Sequence, residues 1–234
     1  KGNCTLIQSN LATILIDDGL SVKNLEEKLK QININPNSID AILLTHEHSD
    51  HIYGVKSFLK KYKNAKVYIP SFAQNYYISS IMTLPIQQVE WYTNSDFFIK
   101  DVTISSFILP HDSHFCVGYS LYVGNNKITV ATDLGFTSAD TLKNLAGSDI
   151  LFLESNHDVE LLKRNVKYTA QLKKRILSNN GHLSNVACAE ALISLVKTGV
   201  KQAILCHLSE ENNTPELAYN TVKTLLQRQG IIEG

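Results

Sequence analysis

The segment Thr45-His46-Glu47-His48-Ser49-Asp50-His51 puts three imidazoles and two carboxylates into seven consecutive residues. Imidazole nitrogen and carboxylate oxygen are the donors that hold zinc and related divalent ions, so the HxHxDH spacing points to metal-assisted chemistry. A solvated polar loop is the alternative for any one of these histidines, and the density of donors argues against it. One short segment cannot fill a coordination sphere, so further donors are expected at other strand ends. Three occur there: Asp133 in Ala131-Thr132-Asp133-Leu134-Gly135, His207 after Ala203 to Cys206, and His111 after Phe107 to Leu109. Each alone has a turn or capping residue as its alternative, whereas four strand ends carrying donors suggest one shared site. No serine or cysteine stands in a base-coupled arrangement, which makes catalysis through a covalent side-chain nucleophile the weaker reading.

The elements that must position these residues follow from the apolar pattern. Thr5 to Ile7 and Ala12 to Ile16 read as a hairpin closed by Asp17 and Gly19, and Val22 to Leu29 as a helix capped by Ser21. Ala41 to Leu44 is a compact buried strand that delivers the histidine-rich loop, and Tyr53 to Tyr62 then reads as a helix. Lys66 to Ile69 is a strand followed by a Tyr-rich helical stretch to Met82. Val102 to Leu109, Val117 to Val123 and Lys127 to Ala131 are strands, the last two joined by a turn at Gly124-Asn125-Asn126. Ser138 to Ala146 is helical, Ile150 to Leu153 a strand, Asn185 to Thr198 a long helix and Gln202 to Cys206 the last strand. Thr214 and Pro215 open a terminal helix over Glu216 to Arg228. Strands alternating with helices, without repeats or linkers, predict a single α/β sandwich domain over residues 1–234.

The HxHxDH segment at 46 to 51, the later His111, the aspartate of TDLG and the final His207 together resemble the metallo-β-lactamase-fold superfamily of metallo-hydrolases. The resemblance implies an αβ/βα four-layer sandwich of two mixed sheets flanked by helices, with two divalent metal ions at one sheet edge. It implies that His46, His48 and His111 hold one ion, that Asp50, His51 and His207 hold the other, and that Asp133 bridges them. Asp17 matches an early aspartate that braces the histidine segment, a turn carboxylate being the alternative. GNCTLI, ILIDDGLS, THEHSDHIYG, HDSHFCVGYSL, ESNHD, GHLSN and HLSEENNTPELA are similar to the YycJ/WalJ branch, regarded as DNA-processing exonucleases and related to ribonuclease Z and the cyclic phosphodiesterases. Asp18 departs from this pattern at a position where cysteine is common.

In that branch His182 resembles a histidine set opposite the metals, where it protonates the leaving oxygen; a helix-capping turn is the alternative. His157 is either a substrate contact or an orienting residue, and His114 competes with His111 for a metal. Two cations about 3.5–4 Å apart lower the pKa of a shared water towards ~7, and Asp50 would orient that water for attack. Zinc, manganese and iron all suit such donors. The expected function is therefore a dinuclear metal-dependent phosphodiesterase or nuclease acting on DNA. The alternatives are a small-molecule hydrolase of the same fold, such as a thioesterase, cyclic phosphodiesterase or lactamase, and a non-catalytic metal-binding protein.

Composition narrows the setting. Over 234 residues, Lys plus Arg and Asp plus Glu each number 22, so no global cationic field draws the protein to nucleic acid or to an anionic membrane. Polyanion binding must come from local patches, and Lys60 to Lys66 and Lys163 to Arg175 are the candidates, with an ordinary solvated face as the alternative. No apolar run approaches the roughly 18 residues of a membrane span. Four scattered cysteines without a CxxC pair read as thiols in a reducing, cytoplasmic compartment.

Overall fold

The computed structural model describes residues 2–76, 84–93 and 95–232. Its strands form two mixed β-sheets with helices against them. The five-stranded sheet is built from β1 (Thr5–Gln8), β2 (Thr13–Ile16), β3 (Ala41–Leu43), β4 (Lys66–Pro70) and β5 (Val89–Tyr92), in that order. The six-stranded sheet takes β6 (Phe97–Ile99), β7 (Val102–Ile108), β8 (Val117–Val123), β9 (Asn126–Ala131), β10 (Ile150–Glu154) and β11 (Gln202–Cys206), in the order β11-β10-β9-β8-β7-β6. The helices are α1 (Val22–Gln31), α2 (Ser49–Ile52), α3 (Val55–Lys61), α4 (Ala139–Leu145), α5 (Val159–Arg164), α6 (Ala170–Ile176), α7 (Asn185–Val196) and α8 (Pro215–Arg228). Among the described residues no helix is long and apolar enough to cross a membrane.

The chain divides into two compact units, the first comprising Lys1–Ser106, Ser113–Val117 and Tyr122–Gly124, and the second Phe107–Asp112, Gly118–Leu121 and Asn125–Gly234. In the first, β1 and β2 form the expected antiparallel hairpin, and β2, β3 and β4 then run parallel with Leu43 opposite both Ile16 and Tyr68. All three residues of β3 are buried, as a central parallel strand covered on both faces requires. Leu25 and Leu29 of α1 and Val55, Phe58 and Leu59 of α3 join Leu15, Ile42, Val67 and Ile69 in one apolar core. Each such side chain contributes about 1.5–3 kcal/mol through burial. The common direction of β2 and β3 brings Asp17 and Thr45 out at one end of the sheet.

The helix expected from Tyr53 begins four residues earlier and is broken. Gly54 separates α2 from α3, its N–H bonded to the Asp18 carbonyl at 2.8 Å. A Cβ on Gly54 would lie 2.0 Å from the Leu20 carbonyl oxygen, so only glycine allows this close approach. Asp50 and His51 therefore ride on a short helix rather than in a loop. The Tyr-rich helix is described only at 74–76, and its continuation to Met82 lies outside the described residues.

In the second unit β9, β10 and β11 are parallel, with Leu153 opposite both Ala131 and Leu205. This register delivers Asp133, Glu154 and His207 at the same end of three adjacent strands. Ser184 and Thr214 cap α7 and α8 through their side chains, accepting the N–H groups of Ala187 and Leu217, and the two helices pack on each other. Helices α5 and α6, which the sequence pattern did not separate from the basic stretch, carry Lys163 to Arg175; α6 buries no residue.

Candidate metal centre

The donors of the first unit are locked from behind. Asp17, 3% exposed and in the left-handed region at φ 60°, accepts the Thr45 N–H at 2.9 Å and the Thr45 hydroxyl at 2.7 Å. Its Oδ2 also accepts from His51 Nδ1 at 2.7 Å. A carboxylate partner fixes the proton of His51 on Nδ1 and leaves Nε2 as the atom able to bind a cation. The His46 ring stands 4.6 Å from that of His48 and 4.2 Å from that of His51, so three imidazoles converge. Asp50 has a half-exposed side chain, and Asn3 donates from one amide nitrogen both to its Oδ2 at 3.1 Å and to His51 Nε2 at 2.9 Å. A deprotonated ring nitrogen has one lone pair, so a cation taking His51 Nε2 must displace that amide.

The second unit assembles His111, Asp133, His182 and His207 around a residue the sequence reading passed over. Glu154 is fully buried, and its Oε1 accepts from His182 Nδ1 at 2.8 Å and from His207 Nδ1 at 2.5 Å. Its Oε2 accepts the backbone N–H groups of Leu134 at 3.1 Å and Leu183 at 3.0 Å. Burial opposes ionisation of this carboxyl, but the adjoining His182 and His207 hold it well below the usual carboxylate range. Conversely, burial works against a charged His182, and Glu154 and Asp133 outweigh it and raise that imidazole's pKa. Asp133 Oδ1 faces His207 Nε2 at 3.5 Å and His111 Nε2 at 3.7 Å, while His111 Nδ1 donates to the Gly181 carbonyl at 3.1 Å. Burial depresses the His111 pKa, which favours the neutral, ligating ring.

Two further histidines join neither donor group among the described residues. His157 is 1% exposed, neither ring nitrogen has a hydrogen-bond partner among the described residues, and burial lowers its pKa to about 4. It is a neutral interior ring whose backbone pairs with Ser184. His114 bonds Glu47 and stacks on Tyr76, so it belongs to the first unit's surface.

Of the five non-glycine residues with positive φ among the described residues, three are Asp17, Asp133 and His207. Aspartate and histidine tolerate the left-handed region better than most residues, yet each such position costs of order 1–3 kcal/mol unless its surroundings hold it. Three strained strand ends, two carrying candidate donors and one the aspartate that braces His51, are the backbone counterpart of the ligand pattern.

The residues present fit a divalent cation: within the second unit, ligand atoms of Asp133, Glu154, His182 and His207 all lie within 4.8 Å of one another. Glu154 already accepts four hydrogen bonds, so it orients His182 and His207 rather than competing with them for metal. The model of the Metallo-beta-lactamase superfamily matches residues 1–182. The chain belongs to that superfamily. It is 35% identical over 98% of its length, and 86% of the relative's, to Exodeoxyribonuclease YycJ of Bacillus anthracis. It is 36% identical over 95% of its length, and 83% of the relative's, to Exodeoxyribonuclease WalJ of Streptococcus pneumoniae. The metallo-beta-lactamase fold protein YhfI of Bacillus subtilis superposes with a TM-score of 0.71 at 15% identity, covering 96% of this chain and 85% of that one. The two mixed sheets are the fold expected of that superfamily.

Proposed function

We propose that this chain is a metal-dependent phosphodiester hydrolase that degrades DNA from an end, with residues 1–234 acting as a single domain in the cytoplasm. The observation that carries the reading is Glu154 holding both His182 and His207 by Nδ1: one histidine is oriented to offer Nε2 to a metal, and the charged form of its neighbour is favoured by the same carboxylate. The extended likeness to two exodeoxyribonucleases supports DNA as substrate. Four free cysteines support the reducing compartment.

In this reading His46, His48 and His111 would hold one divalent ion and Asp50, His51 and His207 a second, with Asp133 available to both. Zinc and manganese are the favoured ions, with iron also compatible. Such ions, when bound, supply Lewis-acid charge and a water acidic enough to attack at neutral pH. Asp17 keeps His51 in its ligating tautomer. Asp50, on the open side of α2, orients the attacking water. His182, its Nδ1 proton held by Glu154, gives a proton from Nε2 to the departing sugar oxygen. His157 acts behind the site, through the backbone that Ser184 shares.

The test is hydrolysis of end-labelled double-stranded DNA by metal-stripped protein reloaded separately with zinc and manganese, beside a His207→Ala variant and a thioester panel. Degradation that requires metal and His207 and falls with rising salt supports the reading. Thioester turnover with intact DNA transfers the protein to the small-molecule hydrolases, and metal binding without any turnover leaves a binding protein.

A further inference from the structure

We propose that the stacked rings of His114 and Tyr76 form a nucleobase-binding subsite beside the histidine segment, taking one unstacked base of the DNA whose backbone is cleaved. The inference rests on the nuclease reading above.

The His114 ring stacks on Tyr76 with centroids 4.1 Å apart and planes 30° from parallel. One face of the imidazole is thus covered, yet its side chain remains 65% exposed, so the opposite face is presented to solvent. Tyr76 is anchored underneath, packing against the apolar core that includes Phe115, the next residue after His114. The ring is also fixed in its plane. Glu47, between His46 and His48 in sequence, accepts from His114 Nδ1 at 2.9 Å and from the His114 backbone N–H at 2.7 Å with a single oxygen. The Glu47 side chain is only 6% exposed, and its second oxygen is buried without a hydrogen-bond partner among the described residues.

Fastening a loop requires only the backbone N–H bond, and a buried carboxylate with one unsatisfied oxygen is an expensive fastener. What the arrangement adds is a rigid, solvent-facing aromatic plane bonded to the residue that lies between the metal-binding candidates His46 and His48. An aromatic or imidazole face that is already ordered stacks on a base with little further loss of rotamer freedom. Every base has such a face, so the subsite is tolerant of sequence, as an enzyme that processes successive nucleotides needs.

The experiment measures binding of the metal-loaded protein to phosphorothioate single-stranded oligonucleotides in which one abasic residue is walked along the strand. Wild type is expected to lose on the order of tenfold in affinity at one abasic position. His114→Ala and Tyr76→Ala should lose a similar factor with the full-base strand and nothing more at that position, while His114→Phe, which keeps the plane without Nδ1, should retain affinity. The proposal is overturned if no abasic position weakens wild type, if the alanine variants remain sensitive to that position, or if His114→Phe binds as weakly as His114→Ala. The abasic series on wild type is informative even if a variant fails to fold. A wild type that binds and hydrolyses DNA without any such dependence overturns the subsite alone, whereas one that neither binds nor hydrolyses DNA removes the nuclease reading and the subsite with it.

Discussion

Replacing Glu154 by glutamine separates positioning from packing. The carboxylate accepts two imidazole Nδ1–H groups on Oε1 and two backbone N–H groups on Oε2. Glutamine keeps one oxygen, and the backbone donors of Leu134 and Leu183 have no alternative, so that oxygen must serve them. The amide NH2 then faces His182 and His207, and each ring can meet it only by moving its proton from Nδ1 to Nε2. Every hydrogen bond survives, but all four lose a charged acceptor and become neutral. At about 0.5–1 kcal/mol for each bond, the expected loss is roughly 2–4 kcal/mol of stability. For a chain of this size that is about 5–15 °C in Tm. The functional loss is larger in kind, because His207 now presents a protonated Nε2 and His182 loses the carboxylate that favours its charged, proton-donating form. Metal affinity should fall about 10–100-fold. The assay pairs urea unfolding in chelator with zinc titration, and 15N chemical shifts of the histidine rings report the tautomers. If Glu154→Gln binds zinc within about twofold of wild type with both rings still protonated on Nδ1, the argument is wrong.

Other perturbations test the first unit. Asp18 is buried, its Oδ2 has no hydrogen-bond partner among the described residues, and desolvation, with a contribution from Asp17, raises its pKa from 3.8 to about 7. A raised carboxyl leaves stability unaffected below the unfolded pKa and lowers it progressively up to the folded one. In chelator, Asp18→Asn should therefore match wild type near pH 4 and exceed it by about 4 kcal/mol above pH 7; a pH-independent difference in urea midpoints would count against this. Asn3→Ala removes the amide that competes for His51 Nε2, and calorimetry should show zinc binding about 2–10-fold tighter, since a neutral hydrogen bond is worth about 0.5–1.5 kcal/mol. Looser binding would mean that Asn3 assists the site. Zinc at a hundred times its dissociation constant should add about 2.7 kcal/mol to folding stability, read as a Tm rise of about 5–10 °C over the chelated protein.

What was legible in the sequence was whatever a donor at the end of an apolar run makes visible. Ala41 to Leu44 announced both a buried strand and the exit of His46, and Ile128 to Ala131 did the same for Asp133, because a central parallel strand is apolar on both faces and its polar residues begin where burial stops. Glu154 obeys the same rule, closing Ile150 to Leu153, and was passed over because histidines drew the eye in ESNHD: the buried carboxylate does its work through Nδ1 atoms contributed by residues 28 and 53 positions away. Pairings at that separation leave no local periodicity. The break at Gly54 was hidden for a related reason. Its cause is the approach of the Leu20 carbonyl, a contact across the first unit, and a lone glycine in a helical pattern is otherwise compatible with continuation. His114 marks the opposite case, since its sequence neighbourhood offered a rival to His111 as ligand, and only the positions of Glu47 and Tyr76 show what the ring attends to. Motifs thus disclosed the side chains able to act as donors, whereas the groups that set tautomer, charge and exposed ring faces emerge from long-range packing, and those groups decide what the donors can do.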